Sequence, residues 1–535
     1  MTSAAAGWPT IPAMTAAAEA FGDQPAVVDG ATTLTYAELV DEARAFAAAL
    51  VGSGVQPLDR VAVWCFNSAH WIVAALGLWE AGATLVPINT RFKGGEAADI
   101  LARSHARALV TVTDFLGTDY VAMLDTSGAQ LPDLGLVVVA HGPPSGSAVG
   151  WDDFVGRADA AGRVELARRV AAVRAEHPSD IMFTSGTTGR AKGVVQTHRR
   201  TLSVSKDWMG MAQLSTADRY LMVNPYFHMF GLKSGILASV GAGVTMYPEP
   251  VFDVQRVLET VERERVTVLP GAPTIYQSLL DFPHRDEYDL SSLRIAVTGA
   301  ADIPVRLIER IRGELPFRTL IAGYGLTEGG TATATAPDDE PEIIATTVGH
   351  ARPTFELRIV DDDGSDVPAG VAGEVVLRGA SVMLEYLDDP VATAEALSRD
   401  GWLHTGDLGS LDGQGNLRIV GRKKDMFIVG GFNAYPAEIE NMLLQHPDIE
   451  QVAVIGVPDQ RLGEVGSAFV VTRPGSERTA DDIISWAREQ MANYKVPRLV
   501  TFVDALPFNA TGKVVKDELR KRAAQLQDTM ERGAE

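Results

Sequence analysis

The chain has one cysteine in 535 residues, Cys65, so an intramolecular disulfide is impossible. A lone thiol leaves two readings, a nucleophile or a small core residue. Its neighbours, Val61-Ala62-Val63-Trp64-Cys65-Phe66, form an apolar run of the buried-strand type and favour the core. Long apolar runs are missing as well. No stretch approaches the roughly 18 uninterrupted apolar residues of a membrane span. The longest candidate, around Trp71–Trp79, stops at Glu80. Met1–Ala20 is rich in alanine but has neither a basic opening nor a long apolar core, so it does not read as a secretory signal. These absences predict a cytoplasmic protein without integral membrane association. Positive charge is scarce too: 47 Lys and Arg stand against 69 Asp and Glu, a formal net charge of −22. That balance argues against a general nucleic-acid binder, which carries a basic footprint. It also sets a requirement: anionic substrates would have to be met by cations placed locally against an unfavourable overall field.

What is present describes a soluble globular chain, 46% apolar and 22% charged, long enough for roughly three to four domain-sized units. Thr35-Tyr36-Ala37-Glu38 has the form of a capping box, a Thr N-cap with Glu three residues on. The alanine-rich run to Leu50 continues that helix, and Gly52 and Gly54 end it. Val61–Phe66 then reads as a strand, Trp71–Ala81 as a helix and Thr84–Ile88 as a strand. This order predicts an α/β architecture with largely parallel sheets. The turn-rich acidic segment 361–373 followed by Glu374-Val375-Val376-Leu377 predicts a hairpin in a smaller, β-rich subdomain. A turn at Asp412–Asn416 precedes a further strand, Leu417–Val420. A separate α/β pattern runs from Met426 to the C-terminus, with a domain boundary expected at about residues 420–425.

The chemistry starts at Thr184-Ser185-Gly186-Thr187-Thr188-Gly189-Arg190-Ala191-Lys192-Gly193, directly after the apolar run Ile181-Met182-Phe183. Glycines let several backbone N–H groups turn toward one anion, hydroxyls add neutral donors, and Arg190 and Lys192 add charge. The segment is a phosphate cradle but not a Walker A loop, because Ala191 falls where the second glycine of G-x-x-x-x-G-K-[ST] should be.

This loop resembles the signature of the adenylate-forming superfamily, which includes acyl-CoA synthetases, adenylation domains of peptide synthetases and firefly-type luciferases. The resemblance covers essentially the whole chain, because the other motifs follow in the expected order: Asn224–Gly231 (NPYFHMFG), Gly323–Glu328 (GYGLTE), Thr405-Gly406-Asp407, Gly421–Asp425 (GRKKD), Gly430–Glu440 (GGFNAYPAEIE) and Pro507–Lys513 (PFNATGK). It implies a large N-terminal domain, residues 1–421, of α/β subdomains plus a β-rich subdomain. A small, mobile α+β C-terminal domain, residues 422–535, follows, hinged near Lys424. It also implies ATP, Mg2+ and coenzyme A as reactants and cofactor, and two half-reactions: adenylation of a carboxylate with loss of pyrophosphate, then thioester formation with loss of AMP. Transition states so rich in negative charge need positioned donors and cations.

The resemblance assigns roles residue by residue. Lys513 bridges the carboxylate and the α-phosphate. Glu328, with Thr184, holds the metal, and Thr327 touches a phosphate. Thr184, Ser185, Gly186, Thr187, Thr188, Gly189 and Lys192 grip the pyrophosphate end. Tyr324 offers a face to adenine, with Gly299, Ala300, Ala301, Gly325 and Ile419 lining the nucleotide. Asp407 takes the ribose hydroxyls, and Arg422 reaches the nucleotide. Gly430, Gly431 and Phe432 receive the pantetheine arm, and Asn433 positions that loop. His228 guards the junction of acyl tunnel and thiol channel, and Phe230, Lys233 and Gly323 line the acyl pocket. Lys233 interrupts an apolar run and carries two readings, a contact to a polar group of the substrate or a salt-bridged lysine.

No carrier-protein domain follows the C-terminal domain, which favours free coenzyme A as acceptor; a homodimer stays open. The combination of Phe227–Lys233 (FHMFGLK), Leu269–Leu279 (LPGAPTIYQSL) and Val457–Gly466 (VPDQRLGEVG) resembles actinobacterial ligases for the bicyclic propanoate left by steroid A/B-ring degradation. Medium- or long-chain fatty acids are the alternative, and aryl acids or a luciferase-like oxygenase a weaker one. A P-loop kinase is disfavoured by the failed spacing, and a non-enzymatic acyl binder by the presence of Lys513 and Glu328.

Overall fold

The computed structural model describes residues 7–534 except 185–190, 300–304, 424, 430–431, 460 and 510–512, with the backbone alone for 432–433 and 527–534. At its centre lies an eight-stranded sheet in the order Glu385–Tyr386, Lys192–Thr197, Pro178–Thr184, Thr84–Pro87, Arg60–Val63, Ala106–Val112, Leu136–His141, Val149–Gly150. Pairing is parallel from Pro178–Thr184 onward and antiparallel for the first two strands. The helix Tyr36–Gly52 begins at the expected capping box: Thr35 Oγ1 accepts from the Glu38 N–H at 3.2 Å, and Glu38 Oε2 accepts from the Thr35 N–H at 2.9 Å. This helix packs so closely on Ala69–Glu80 that a Cβ at Gly77 would lie 2.5 Å from the Ala43 carbonyl oxygen. The strand expected over 61–66 ends at Val63, because the chain turns there to enter the next helix at Ser68, whose hydroxyl accepts from the Trp71 N–H.

A second layer joins the strands Arg219–Met222, Thr245–Pro248, Pro25–Asp29 and Thr32–Thr35 to Ile295–Gly299, Thr319–Leu326, Gly330–Ala334 and His350–Ala351, with Val268 bridging Tyr220 and Ile295. The β-rich subdomain is an antiparallel sheet of Phe355–Val360, Gly373–Gly379, Leu403–Leu411 and Leu417–Arg422, with the expected hairpin across 361–372. Connections this short cannot make the crossovers that parallel pairing needs, so this sheet is antiparallel, while the parallel pairing expected of the chain is found in the central sheet and between neighbouring strands of the second layer. The next strand, Phe427–Val429, belongs to the C-terminal sheet with Phe432–Ala434, Gly463–Thr472, Ile449–Asp459 and Leu499–Phe502. That sheet carries its own core around Phe427, Ile439, Val454 and Ile483. Cys65 is 1% exposed, and burial pushes its thiol pKa up to about 12; it is a core residue.

Candidate active site

The phosphate-loop segment is carried by an antiparallel hairpin in which Thr184 faces Lys192 across the strands Pro178–Thr184 and Lys192–Thr197. Ser185, Gly186, Thr187, Thr188 and Gly189 lie outside the described residues. On the far side of the hairpin, Arg103 Nη1 donates to the Ala191 carbonyl at 2.7 Å. The Lys192 ammonium sits 4.9 Å over the ring of Tyr386, whose strand pairs with this one opposite Val194.

The motif Gly323–Glu328 begins within the strand Thr319–Leu326, which runs parallel to Ile295–Gly299 with Gly323 opposite Gly299. Gly299 and Gly325 are required by proximity: a Cβ at Gly299 would lie 2.4 Å from the Gly323 carbonyl oxygen, and one at Gly325 would lie 2.5 Å from that of Gly330. Ala300 and Ala301 fall outside the described residues. The strand delivers Thr327 and Glu328 beside the hairpin. Gln196 Nε2 donates to the Thr327 carbonyl at 3.4 Å, and the Met383 N–H donates to the Glu328 carbonyl at 2.6 Å. The Tyr386 hydroxyl donates to Glu328 Oε1 at 3.0 Å. Burial, and then the Glu328 charge, raise the Tyr386 pKa, so the phenol stays protonated as a donor. Among the described residues no cluster of three metal-ligating side chains exists. A hard cation of the Mg2+ type needs only one or two carboxylates when substrate phosphates supply the remainder, and Glu328 fits that demand.

Asp407 is 5% exposed and sits opposite Arg422 in the pairing of Leu403–Leu411 with Leu417–Arg422; Ile419 faces Gly409 in the same ladder. Its Oδ2 accepts from the Tyr324 hydroxyl at 2.6 Å, and its Oδ1 lies 3.0 Å from Arg422 Nε. Burial, and then the Asp407 charge, hold the Tyr324 pKa well above its ordinary value. Tyr324, Asp407 and Arg422 therefore form one hydrogen-bonded unit, and each carboxylate oxygen keeps a second lone pair for a ligand. The Tyr324–Asp407 bond joins residues 83 positions apart, and no local signal announces it.

The acyl-side loop is pinned by Asn67, which the sequence did not single out. Asn67 Nδ2 donates to the carbonyls of Met222 at 3.0 Å and Asn224 at 2.9 Å, while its Oδ1 accepts from the Tyr226 N–H at 2.9 Å. Beyond it, His228 Nδ1 accepts from the Phe230 N–H at 3.2 Å, which leaves Nε2 as the protonated nitrogen of a neutral ring. Desolvation, and then the Lys513 charge, lower the His228 pKa to about 4. Lys513, from the C-terminal domain, thus lies within electrostatic reach of His228. Phe230 packs edge-on against Trp208 at 5.0 Å and opens a run of π-helical turns, Phe230–Leu237, of the kind that concentrates at functional sites. Gly231 lets the loop close: a Cβ there would lie 2.2 Å from the Pro225 carbonyl oxygen.

Lys233 lies within the π-helical run and takes the salt-bridged reading. Its Nζ is 3.0 Å from Asp180 Oδ2, both side chains are 0% exposed, and the contact is an ion pair without hydrogen-bond alignment. Asp180 Oδ1 in turn accepts from Ser179 Oγ at 2.8 Å and Thr201 Oγ1 at 2.6 Å. With no exposed surface, Lys233 does not line an open acyl pocket; its charge is held in the core by the strand that leads to the phosphate loop.

In the C-terminal domain, Lys513 is held by Asn509. Its N–H donates to Asn509 Oδ1 at 2.9 Å, and its carbonyl accepts from the Asn509 N–H at 2.8 Å. Lys424, Gly430 and Gly431 lie outside the described residues, as do the side chains of Phe432 and Asn433. The Phe432–Ala434 backbone pairs with Phe427–Val429.

The AMP-binding enzyme family matches residues 14–387, and the AMP-binding enzyme C-terminal domain matches residues 438–513. A 3-[(3aS,4S,7aS)-7a-methyl-1,5-dioxo-octahydro-1H-inden-4-yl]propanoyl:CoA ligase of Rhodococcus jostii is 50% identical over 512 residues, covering 95% of this chain and 98% of its own. The ligase of the same name from Mycobacterium tuberculosis is 50% identical over 501 residues, covering 93% and 96%. Among solved structures, the anthranilate CoA ligase AuaEII in complex with anthranoyl-AMP superimposes with a TM-score of 0.89 at 28% identity, covering 99% of this chain and 100% of that one. The family matches, the near full-length relatives and the shared fold agree, and the chain belongs to the AMP-binding, adenylate-forming enzymes as an ATP-dependent acyl-CoA ligase.

Proposed function

We propose that the acid activated is a bicyclic keto-propanoate of the kind left by steroid A/B-ring degradation. The observation that carries this reading is the 50% identity, over nearly the full length of both chains, to two bacterial ligases named for such an acid. In the first half-reaction a carboxylate oxygen attacks the α-phosphorus of ATP and pyrophosphate leaves. In the second, a coenzyme A thiolate attacks the acyl carbon and AMP leaves.

The side chains divide this work. Lys513 lies between carboxylate and α-phosphate and offsets the repulsion of two anions brought together; its electrostatic reach to His228 supports that placement. Thr184, Lys192 and the loop between them hold the leaving pyrophosphate. Glu328, with Thr184, holds a Mg2+ ion, which when bound withdraws charge from the phosphates. Tyr324, Asp407 and Arg422 bind the nucleoside as one unit, with the carboxylate accepting from ribose hydroxyls; Gly299, Gly325 and Ile419 complete that wall. His228, kept neutral, stands between the acyl pocket of Phe230 and Gly323 and the thiol channel. The domain boundary lies at residues 421/422. Lys424 is the hinge about which the C-terminal domain exchanges Lys513 for the Gly430-Gly431 segment, Phe432 and Asn433. Among the described residues no helix is long and apolar enough to cross a membrane, which supports a cytoplasmic site of action.

The test is acid-dependent pyrophosphate release across bicyclic keto-propanoates, medium- and long-chain fatty acids and aryl acids, with and without coenzyme A. The reading requires the bicyclic acid to give the highest kcat/KM and a CoA thioester as product. A preference for fatty acids would replace it with the medium- or long-chain alternative.

A further inference from the structure

The segment Ser381–Leu387 is built into the site more tightly than a connector needs to be. Gln196 Nε2 donates to the Ser381 carbonyl at 3.2 Å as well as to that of Thr327. The Met383 N–H holds the Glu328 carbonyl at 2.6 Å, and the Leu384 and Leu387 N–H groups bond to Val195 and Gly193 of the hairpin at 2.9 and 2.7 Å. In the middle of this clasp stands Tyr386, 9% exposed, which neither the motifs nor the family match assigns a role. Its two chemical ends face two different parts of the site. The hydroxyl meets Glu328 Oε1 at 3.0 Å, and the ring face lies 4.9 Å beneath the Lys192 ammonium. Among the described residues Glu328 Oε2 takes no hydrogen bond.

We propose that Tyr386 is a positioning residue for divalent-cation binding: its hydroxyl pins Oε1 of Glu328 so that Oε2 is presented to the metal, while its ring holds Lys192 at the pyrophosphate end. The inference rests on the reading of Glu328 as the metal ligand. A carboxylate on a free side chain rotates between one- and two-oxygen presentation. A fixed donor on one oxygen removes that freedom and leaves a single directed lone-pair set for a cation that demands near-octahedral geometry. The same ring, buried on the edge strand that pairs with Lys192–Thr197, ties the position of the cationic lysine to that of the carboxylate, so the groups serving metal and pyrophosphate move as one.

The test uses the full-length enzyme with α,β-methylene ATP, which cannot release pyrophosphate, and Mn2+ as a paramagnetic stand-in counted by electron paramagnetic resonance. Tyr386→Phe keeps the ring and the backbone ladder and removes only the donor. Its Mn2+ affinity in the ternary complex is expected to fall roughly 10- to 100-fold, with metal-free analogue binding and thermal unfolding unchanged. Tyr386→Leu removes the ring as well and is expected to weaken the metal-free analogue about two- to fivefold in addition. Glu328→Gln separates the two levels of the argument. If it abolishes Mn2+ binding while Tyr386→Phe binds Mn2+ as the parent does, the inference about Tyr386 is overturned and the metal assignment stands. If Glu328→Gln binds Mn2+ as the parent does, the metal assignment fails and this inference fails with it.

Discussion

The buried pair Lys233–Asp180 offers a perturbation whose size and pH dependence can both be worked out. At 3.0 Å the Coulomb attraction in an effective dielectric of about 20 is about 5–6 kcal/mol. Desolvation of the two ions offsets most of it, so the intact pair contributes little against an apolar alternative. Breaking it from one side is different, because the survivor keeps its desolvation cost. Asp180→Asn retains the shape and the acceptor for Ser179 and Thr201 but removes the charge, and it should cost about 3–5 kcal/mol. Burial already lowers the Lys233 pKa, and Asp180 supplies the contributions that raise it. Without Asp180 the folded-state pKa drops further below the unfolded value of about 10.5. Between those two values the unfolded chain binds the extra proton, so stability rises with pH. The deficit of Asp180→Asn should therefore shrink between pH 7 and pH 9, and Lys233→Met in the same chain should recover most of it. Urea denaturation followed by tryptophan fluorescence reads all three. A deficit below about 1 kcal/mol, or one that grows with pH, would refute the reasoning.

Three further outcomes are expected. Lys513→Ala should slow acyl-adenylate formation by roughly 3–4 kcal/mol, a hundredfold to a thousandfold, while supplied acyl-adenylate is still converted to thioester; equal loss in both steps would remove the bridging role. His228, with its pKa lowered to about 4 from the usual 6.5, is neutral from pH 6 to 8 and should add no inflection to kcat/KM there. A folded pKa below the unfolded one means the stability it contributes is present above about 6.5 and is lost as pH falls toward about 4, a loss that His228→Gln should diminish. Gly231→Ala places a Cβ 2.2 Å from the Pro225 carbonyl oxygen, so the acyl-side loop must open; a rise in KM for the acid with KM for ATP unchanged is expected, at a stability cost of about 1–3 kcal/mol.

Much of this is legible in the sequence. The capping box at Thr35 and Glu38 gave the helix start to the residue, because such caps are set by side chains three positions apart. The alternation after it gave the central α/β layer. The motif residues Glu328, Asp407, His228 and Lys513 were identifiable because each lies in a short, distinctive string. Their partners were not. Tyr386, Asp180 and Asn67 act across sheets, and which side chain faces which depends on strand register and crossover order. No window of the sequence records either. Lys233 shows the boundary well: its oddity in an apolar run was visible, but its partner 53 positions upstream was not.

The lone cysteine carries a practical consequence. Coenzyme A presents a free thiol that the reaction consumes, and Cys65, at 1% exposure and with its pKa pushed up to about 12, offers no competing thiolate at neutral pH. A thiol-reactive dye added during turnover therefore counts coenzyme A alone. By the same token the folded enzyme is shielded from forming a mixed disulfide with its own co-substrate, and its activity should be indifferent to the redox poise of the buffer except through the state of coenzyme A itself.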